Sequence, residues 1–484
     1  MGASCGARSA RRGSRRAQER SGGANVRIAP ARELAIRRLA EVRGRGALAN
    51  LPDEELEPLT RRDRALATSI VHGTTKWRRR IDSLLSAHCR ENALEHANLK
   101  VLCALEAALY EIHWLQKQPR VAVSQYVAVA KACGGKKAGC FSNGVLRACI
   151  RTLQSSGWPP PTGKSHADNL GLLYSMPTAL VESWVRSFGP REAEKLLQAS
   201  NKDPSYGIRP SAKSVHNCPK GLRALRQQLS GLGLNVRKSK YFGNMLRIEG
   251  SSSPLRSYLR SGSLVLQDEA AAGVVHFMQP QRGDKIADIA SAPGGKTTLA
   301  AELAGKKGTV TAFDVSEERL ARVRDAVVKS GMERRVMCHC RDARKLPEDS
   351  AYRDAFDCVL VDVPCSGRGV LAKRTDLRWR KTGDEELEEL TKLQRELLDA
   401  GAKLVKPGGV LVYSTCSIEY KENQGVALAF YQRNKRWFEL SDARLRAPSN
   451  DLVDESGFFY QCLPHKTQTD GAFATRFVKR EKKK

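Results

Sequence analysis

The chain has 484 residues, more than the roughly 250 to 300 that one hydrophobic core accommodates, so two or three domains are expected. Its 82 Lys+Arg against 52 Asp+Glu leave a formal charge of +30, which points to a polyanionic partner without separating RNA from DNA or an anionic surface. No apolar run approaches the roughly 20 residues needed to cross a bilayer, so no membrane partner is expected. The 13 cysteines are scattered without a C-x-x-C pair, which fits a reducing compartment rather than a disulfide-stapled domain.

Residues 1–25 are rich in Arg and Ser with Glu19 as the only acid, a composition shared by organelle transit peptides and by disordered basic arms. From 26 to 152 the pattern is helical: Ala35, Leu39 and Val42 fall at i, i+4, i+7, and Leu102, Leu105, Leu109 and Ile112 repeat the stripe, so an all-α bundle is expected. Its basic runs, Arg78 to Arg80 and Lys136-Lys137, are either RNA contacts or solvated charge. The stretch 153–168, with Trp158, Pro159, Pro160 and Pro161, cannot continue a helix and reads as a linker. Residues 169–264 mix helical stretches (Ala179 to Ala199, Gly221 to Leu229) with strand-like ones (Tyr206 to Arg209, Met245 to Ile248), the mark of a small α+β module.

From 265 to 480, apolar strand-like runs alternate with amphipathic helices: Lys285 to Ala290, Thr309 to Phe313, Arg335 to Cys340, Cys358 to Asp362 and Gly409 to Thr415. That alternation predicts a doubly wound, mainly parallel α/β sheet of Rossmann-like type. Cys338 and Cys340 flank His339, but they fall where the sheet needs a strand, and no metal is expected.

The first of these strands runs into Ala290-Ser291-Ala292-Pro293-Gly294-Gly295-Lys296-Thr297. In such sheets ligands sit beyond the carboxyl ends of the strands, where glycines let the backbone approach and a helix N-terminus offers free N–H groups. Gly295-Lys296-Thr297 matches the end of a phosphate-binding P-loop, but Ala290 stands where its first glycine belongs, which weakens a nucleotide-triphosphatase reading. Asp314 ends the second strand 18 residues past Lys296, placed to accept hydrogen bonds from ribose hydroxyls. Asp342 follows the third strand, where it could bond an adenine amino group, and Asp362 ends the fourth.

The fourth strand continues into Asp362-Val363-Pro364-Cys365-Ser366-Gly367 and the fifth into Thr415-Cys416-Ser417, so both cysteines project at the ligand edge. Carbon 5 of cytosine is too weak a nucleophile to attack a sulfonium methyl unaided. A thiolate adding to carbon 6 makes it an enamine carbon, and a base must then take the carbon 5 proton. A free thiol is only a few per cent ionised at neutral pH, so the site must lower its pKa, with Lys296 one candidate. Chemistry alone leaves open which cysteine attacks.

The pair Asp-x-Pro-Cys-Ser-Gly and Thr-Cys-Ser, with the Ala-Pro-Gly-Gly-Lys-Thr loop, resembles the signature of the Sun/Nop family of RNA 5-methylcytosine methyltransferases. The stretch Phe141 to Arg147 is similar to part of the NusB-like RNA-binding domain fused to the RsmB/Sun-like branch, which acts on small-subunit ribosomal RNA. Gln267 to Ala270, Glu422-Asn423, Leu463-Pro464-His465 and Asp470-Gly471 also resemble family elements, His465 as a structural loop residue. The resemblance implies Cys416 as nucleophile, Cys365 as the cysteine that assists release, and S-adenosylmethionine as methyl donor. The donor would be held by Ala290 to Lys296, Asp314, Asp342 and Asp362, with Asp362 also reaching the cytosine. The partner implied is small-subunit ribosomal RNA, with the enzyme acting as a monomer. Three departures stand out: Ala290 replaces the family's usual cysteine, Ser291 differs at the second loop position, and Ser211 replaces an Asn in the middle module. The first two fall on main-chain contacts, whereas the third bears on that module's RNA contacts. The amino-terminal extension suggests an organelle, chloroplast before mitochondrion, with the cytoplasm as the other reading. A catalytically silent RNA-binding assembly factor is the rival function.

Overall fold

The computed structural model describes residues 27–215, 221–250, 252–380 and 384–481; the basic extension 1–25 lies outside them. The chain divides into two compact units, Met1–Pro160 and Pro161–Lys484.

In the first unit four helices carry the core: α1 (Pro30–Arg45), α2 (Arg61–Ser86), α3 (Leu99–His113) and α4 (Pro119–Ser155). α3 is buried without interruption from Val101 to Glu111, the signature of a helix surrounded by others, and its stripe packs against Ala35, Leu39 and Val42 of α1. Its buried acid Glu111 is matched by Arg32 at 2.7 Å and by the Tyr126 hydroxyl at 2.7 Å, because an unpaired interior carboxylate would be costly. α4 breaks at Gly135, whose φ of 75° takes it out of the helical region, so the segment is two helical arms.

The second unit begins with α5 (His166–Tyr174), α6 (Thr178–Phe188) and α7 (Pro190–Asn201). The sequence reading ran one helix from Ala179 to Ala199; the structure divides it at Gly189, φ 77°, with Pro190 opening the next helix, where proline's missing N–H costs nothing. These helices share a core with Leu371, Leu377, Ile418 and Leu463 from the carboxyl-terminal half. β1 (Ser205–Pro210), β2 (Asn235–Lys238), β3 (Leu246–Glu249) and β4 (Leu264–Leu266) form a small antiparallel sheet in the order β2-β3-β1-β4, covered by α8 (Gly221–Gly231) through Leu225 and Leu229.

The large sheet holds β5 (Lys285–Asp288), β6 (Thr309–Asp314), β7 (Val336–Cys340), β8 (Phe356–Asp362), β9 (Val405–Thr415), β10 (Phe438–Leu440), β11 (Tyr460–Cys462) and β12 (Ala472–Lys479). Their order is β10-β12-β9-β8-β5-β6-β7, with β11 beside β12. The five strands foreseen are all parallel neighbours. The antiparallel edge built by β12 against β9 was not foreseen. β5 stops at Asp288, two residues short of the expected Ala290. The intervening helices, α9 (Glu269–Met278), α10 (Gly295–Leu303), α11 (Glu317–Ser330), α12 (Asp384–Leu404) and α13 (Gln424–Asn434), cover two apolar faces. Because β5 pairs with β6 on one side and β8 on the other, the chain reverses direction across the sheet there, and a crevice opens at the strand ends.

Among the described residues no helix is long and apolar enough to cross a membrane, and no group of three or more His, Cys, Asp or Glu is placed to hold a metal.

Candidate active site

The loop after β5 is held by hydrogen bonds within itself and to the end of β6. Ser291 N–H donates to the Phe313 carbonyl at 2.9 Å, Gly294 N–H to the Ser291 carbonyl at 2.8 Å, and Ala292 N–H to Asp314 Oδ2 at 3.4 Å. Gly294 has φ 100°, and a Cβ there would lie 3.1 Å from the Val323 Cα of α11, so the loop requires glycine. Ala290 is half-buried and Pro293 exposed. Behind the loop, buried Arg209 donates to Gln267 Oε1 at 2.8 Å and Thr298 Oγ1 at 3.0 Å and pairs with Glu302 at 2.6 Å, tying β1 to α10.

Lys296, on the first turn of α10, crosses the crevice to Asp362 at the end of β8: Nζ to Oδ2 is 2.7 Å. The other oxygen of Asp362 accepts from Ser414 Oγ of β9 at 2.7 Å. Burial works against the Lys296 ammonium, yet the adjoining Asp362 carboxylate holds its pKa above the ordinary value. With Lys296 committed to Asp362, the lysine that would reach a bound phosphate is engaged elsewhere, which weakens the P-loop reading further.

Asp314 is buried, with Oδ1 accepting from Ser316 N–H at 3.0 Å and Arg319 3.7 Å from Oδ2. Next to it Val315 is 68% exposed, an apolar surface fit for a flat aromatic ring. Asp342 stands at the same sheet edge, but its carboxylate accepts from the Arg344 backbone N–H at 3.0 Å and from its guanidinium at 2.7 Å, an interaction that holds its pKa down. The carboxylate foreseen as an adenine acceptor is thus occupied by Arg344.

The sheet register places Asp362 beside Ser414, so the turns that follow carry Cys365 and Cys416 side by side. Their sulfurs are 3.2 Å apart. Donation by the Cys365 S–H, together with the Lys296 ammonium, holds the Cys416 thiol below its ordinary pKa against burial and Asp362. Giving that hydrogen bond, with burial and Glu422 adding to it, pushes Cys365 up. One sulfur is therefore disposed to be thiolate and the other to keep its proton.

Gly369 N–H donates to the Cys416 carbonyl at 3.1 Å. A Cβ at Gly369 would lie 2.6 Å from that carbonyl oxygen and 2.7 Å from Gly471 Cα, both main-chain atoms. Gly369→Ala is therefore expected to displace the Cys416 turn and lower kcat by about 10²-fold; saturating methyl-transfer kinetics check it.

Several groups at the site were not foreseen. Asp288, beneath the loop, accepts from Thr297 Oγ1 at 2.7 Å, and burial pushes its pKa up to about 7; its place just before the loop was the available signal. Ser414 gave none beyond its register with Asp362. His465, expected as a structural loop residue, bonds Glu192 at 2.7 Å.

Fold and site together define a methyltransferase built on a doubly wound sheet. A family model described as 16S rRNA methyltransferase RsmB/F matches residues 275–478, and the NusB family model matches 29–151. The probable ribosomal RNA small subunit methyltransferase B of Synechocystis is 30% identical over 93% of this chain and 99% of its own. The corresponding Bacillus subtilis protein is 29% identical over 91% and 97%. The solved structure of PH0851 superposes with a TM-score of 0.74 at 26% identity, covering 94% of this chain and 100% of that one. The chain belongs to the RsmB/Sun family of S-adenosylmethionine-dependent methyltransferases, with a NusB domain at its amino-terminal end.

Proposed function

We propose that this protein transfers a methyl group to carbon 5 of a cytosine in small-subunit ribosomal RNA through a covalent adduct with Cys416. The observation that carries the reading is the pair of thiols 3.2 Å apart at the crevice. The substrate class rests on the relatives, named for the small ribosomal subunit, and on the charge of +30. S-adenosylmethionine fits the crevice: Asp314 Oδ2 holds only a long 3.4 Å hydrogen bond from Ala292 and a 3.7 Å pairing with Arg319, which leaves it able to accept from ribose hydroxyls, and Val315 offers an apolar face. When bound, it supplies an electrophilic methyl on sulfur.

The Cys416 thiolate adds to carbon 6, and the electron pair gained by the ring makes carbon 5 the nucleophile. Asp362, fixed by Lys296 and Ser414, is positioned to hold the ring by accepting from its exocyclic amino group. After transfer a base removes the carbon 5 proton, the ring regains its double bond and the carbon–sulfur bond to Cys416 breaks. The Cys365 S–H donates to the departing sulfur, from which it is 3.2 Å away in the free protein. Extruding the base costs a few kcal/mol, least for an unpaired nucleotide.

Labelled methyl from S-adenosylmethionine is expected on carbon 5 of cytosine in small-subunit rRNA, located by nuclease digestion. Tight RNA binding without transfer to any rRNA would favour the silent assembly factor. Because phosphate contacts dominate such complexes, affinity for RNA is expected to fall by about 10³-fold or more between 50 and 200 mM salt; a flat response in a filter-binding titration counts against it.

A further inference from the structure

Glu422 lies on the turn after β9 and is fully buried. Oε1 accepts from Ser366 N–H at 2.8 Å and Gln394 Nε2 at 3.0 Å, and Oε2 from Ser366 Oγ at 2.5 Å and Ser417 Oγ at 2.5 Å. Ser366 follows Cys365, and Ser417 follows Cys416. One carboxylate thus joins the two cysteine turns, while Gln394 of α12 also holds the Pro364 carbonyl at 3.0 Å. Ser366 Oγ and Ser417 Oγ also meet at 3.2 Å, as do the two thiols, and Arg368 pairs with Glu419 at 2.9 Å across the same turns.

We infer that Glu422 is a positioning residue whose carboxylate clasps the Cys365 turn to the Cys416 turn and so sets the separation at which Cys365 assists the departure of Cys416. All four of its hydrogen-bond donors are neutral. A buried carboxylate satisfied only by neutral donors is more costly to keep than an amide of the same shape, so its charge calls for a role of its own. That role is electrostatic: Glu422 opposes ionisation of both thiols, while Lys296 favours it at Cys416. The groups acting on this pair are Lys296 of α10, Asp362 of β8 and Glu422; Tyr413 of β9 and Arg395 of α12 stand behind them. Removing the Glu422 charge would therefore ease ionisation of both thiols.

The inference rests on the cysteine-adduct reading, so the test begins with the wild-type full-length protein, S-adenosylmethionine and a small-subunit rRNA fragment carrying 5-fluorocytosine. Fluorine cannot leave carbon 5 as a proton does, so the adduct is trapped and runs as a shifted band on a denaturing gel. No band with wild type overturns the adduct reading itself. With the band present, Glu422→Gln and the double variant Ser366→Ala/Ser417→Ala are compared in saturating kinetics and pH profiles on unmodified RNA. Both variants lose clasp bonds, so kcat is expected to fall about 10-fold or more with KM for RNA nearly unchanged. Only Glu422→Gln removes the charge, so only it is expected to move the acid limb of the profile to lower pH. Wild-type kcat in both folded variants, or an acid limb that does not move in Glu422→Gln, overturns the inference. Should Glu422→Gln fail to fold, judged by its melting curve, the double variant still decides the clasp: unchanged kcat overturns it.

Discussion

Cys416→Ala is expected to abolish methyl transfer, by on the order of 10⁴-fold or more, and Cys365→Ala to leave a protein–RNA adduct that accumulates instead of turning over. The two outcomes follow from one geometry. With the sulfurs 3.2 Å apart, the Cys416 thiol held below its ordinary pKa and that of Cys365 pushed up, Cys416 is the sulfur expected to reach the ring as thiolate, and without it carbon 5 is never activated. Without Cys365, attack and methylation remain possible, but the departing sulfur loses its hydrogen-bond donor and the last step slows. A denaturing gel of Cys365→Ala with methyl-labelled donor and rRNA should show label in a band that contains both protein and RNA. Label retained by Cys416→Ala and lost from Cys365→Ala would reverse the roles.

Much of this site was legible because its parts lie at strand ends. Apolar periodicity located five parallel strands, and wherever such a strand ends its next residues share an edge with those of its neighbours, so Asp314, Asp362, Cys365 and Cys416 could be assigned to one crevice before any distance was known. Local signals also marked α1 and α3, through the Ala35, Leu39, Val42 stripe and the Leu102, Leu105, Leu109 stripe that the structure buries. What escaped was set by partners far along the chain. Nothing around Asp342 shows that Arg344 will fold back over it rather than face solvent. Glu422 could be noted as a family element, but not as the acceptor for Ser366, 56 residues earlier. β12 inserts between β9 and β10, a pairing that depends on closing a long loop and leaves no periodic trace in the intervening residues.

Lys296→Met tests the electrostatics of the crevice. Its ammonium serves two neighbours, holding Asp362 by a direct ion pair at 2.7 Å and favouring the thiolate of Cys416. Removing it lifts the Cys416 pKa from its lowered position, so less thiolate exists at neutral pH, and it leaves Asp362 held by Ser414 alone. Transfer at neutral pH is expected to fall by about 10²-fold. The sign of the pH effect follows from the thiolate's role: wild-type activity rises with pH as Cys416 ionises, and in Lys296→Met that rise should come at higher pH, with part of the loss recovered in alkaline buffer. Lys296→Arg keeps the charge and should keep the wild-type position of the limb, even where its bulkier head costs kcat. The pH profile of kcat/KM for the three proteins measures this directly. An acid limb in Lys296→Met that coincides with wild type would assign the lysine to holding Asp362 alone, leaving the Cys365 S–H as the remaining group that favours the Cys416 thiolate.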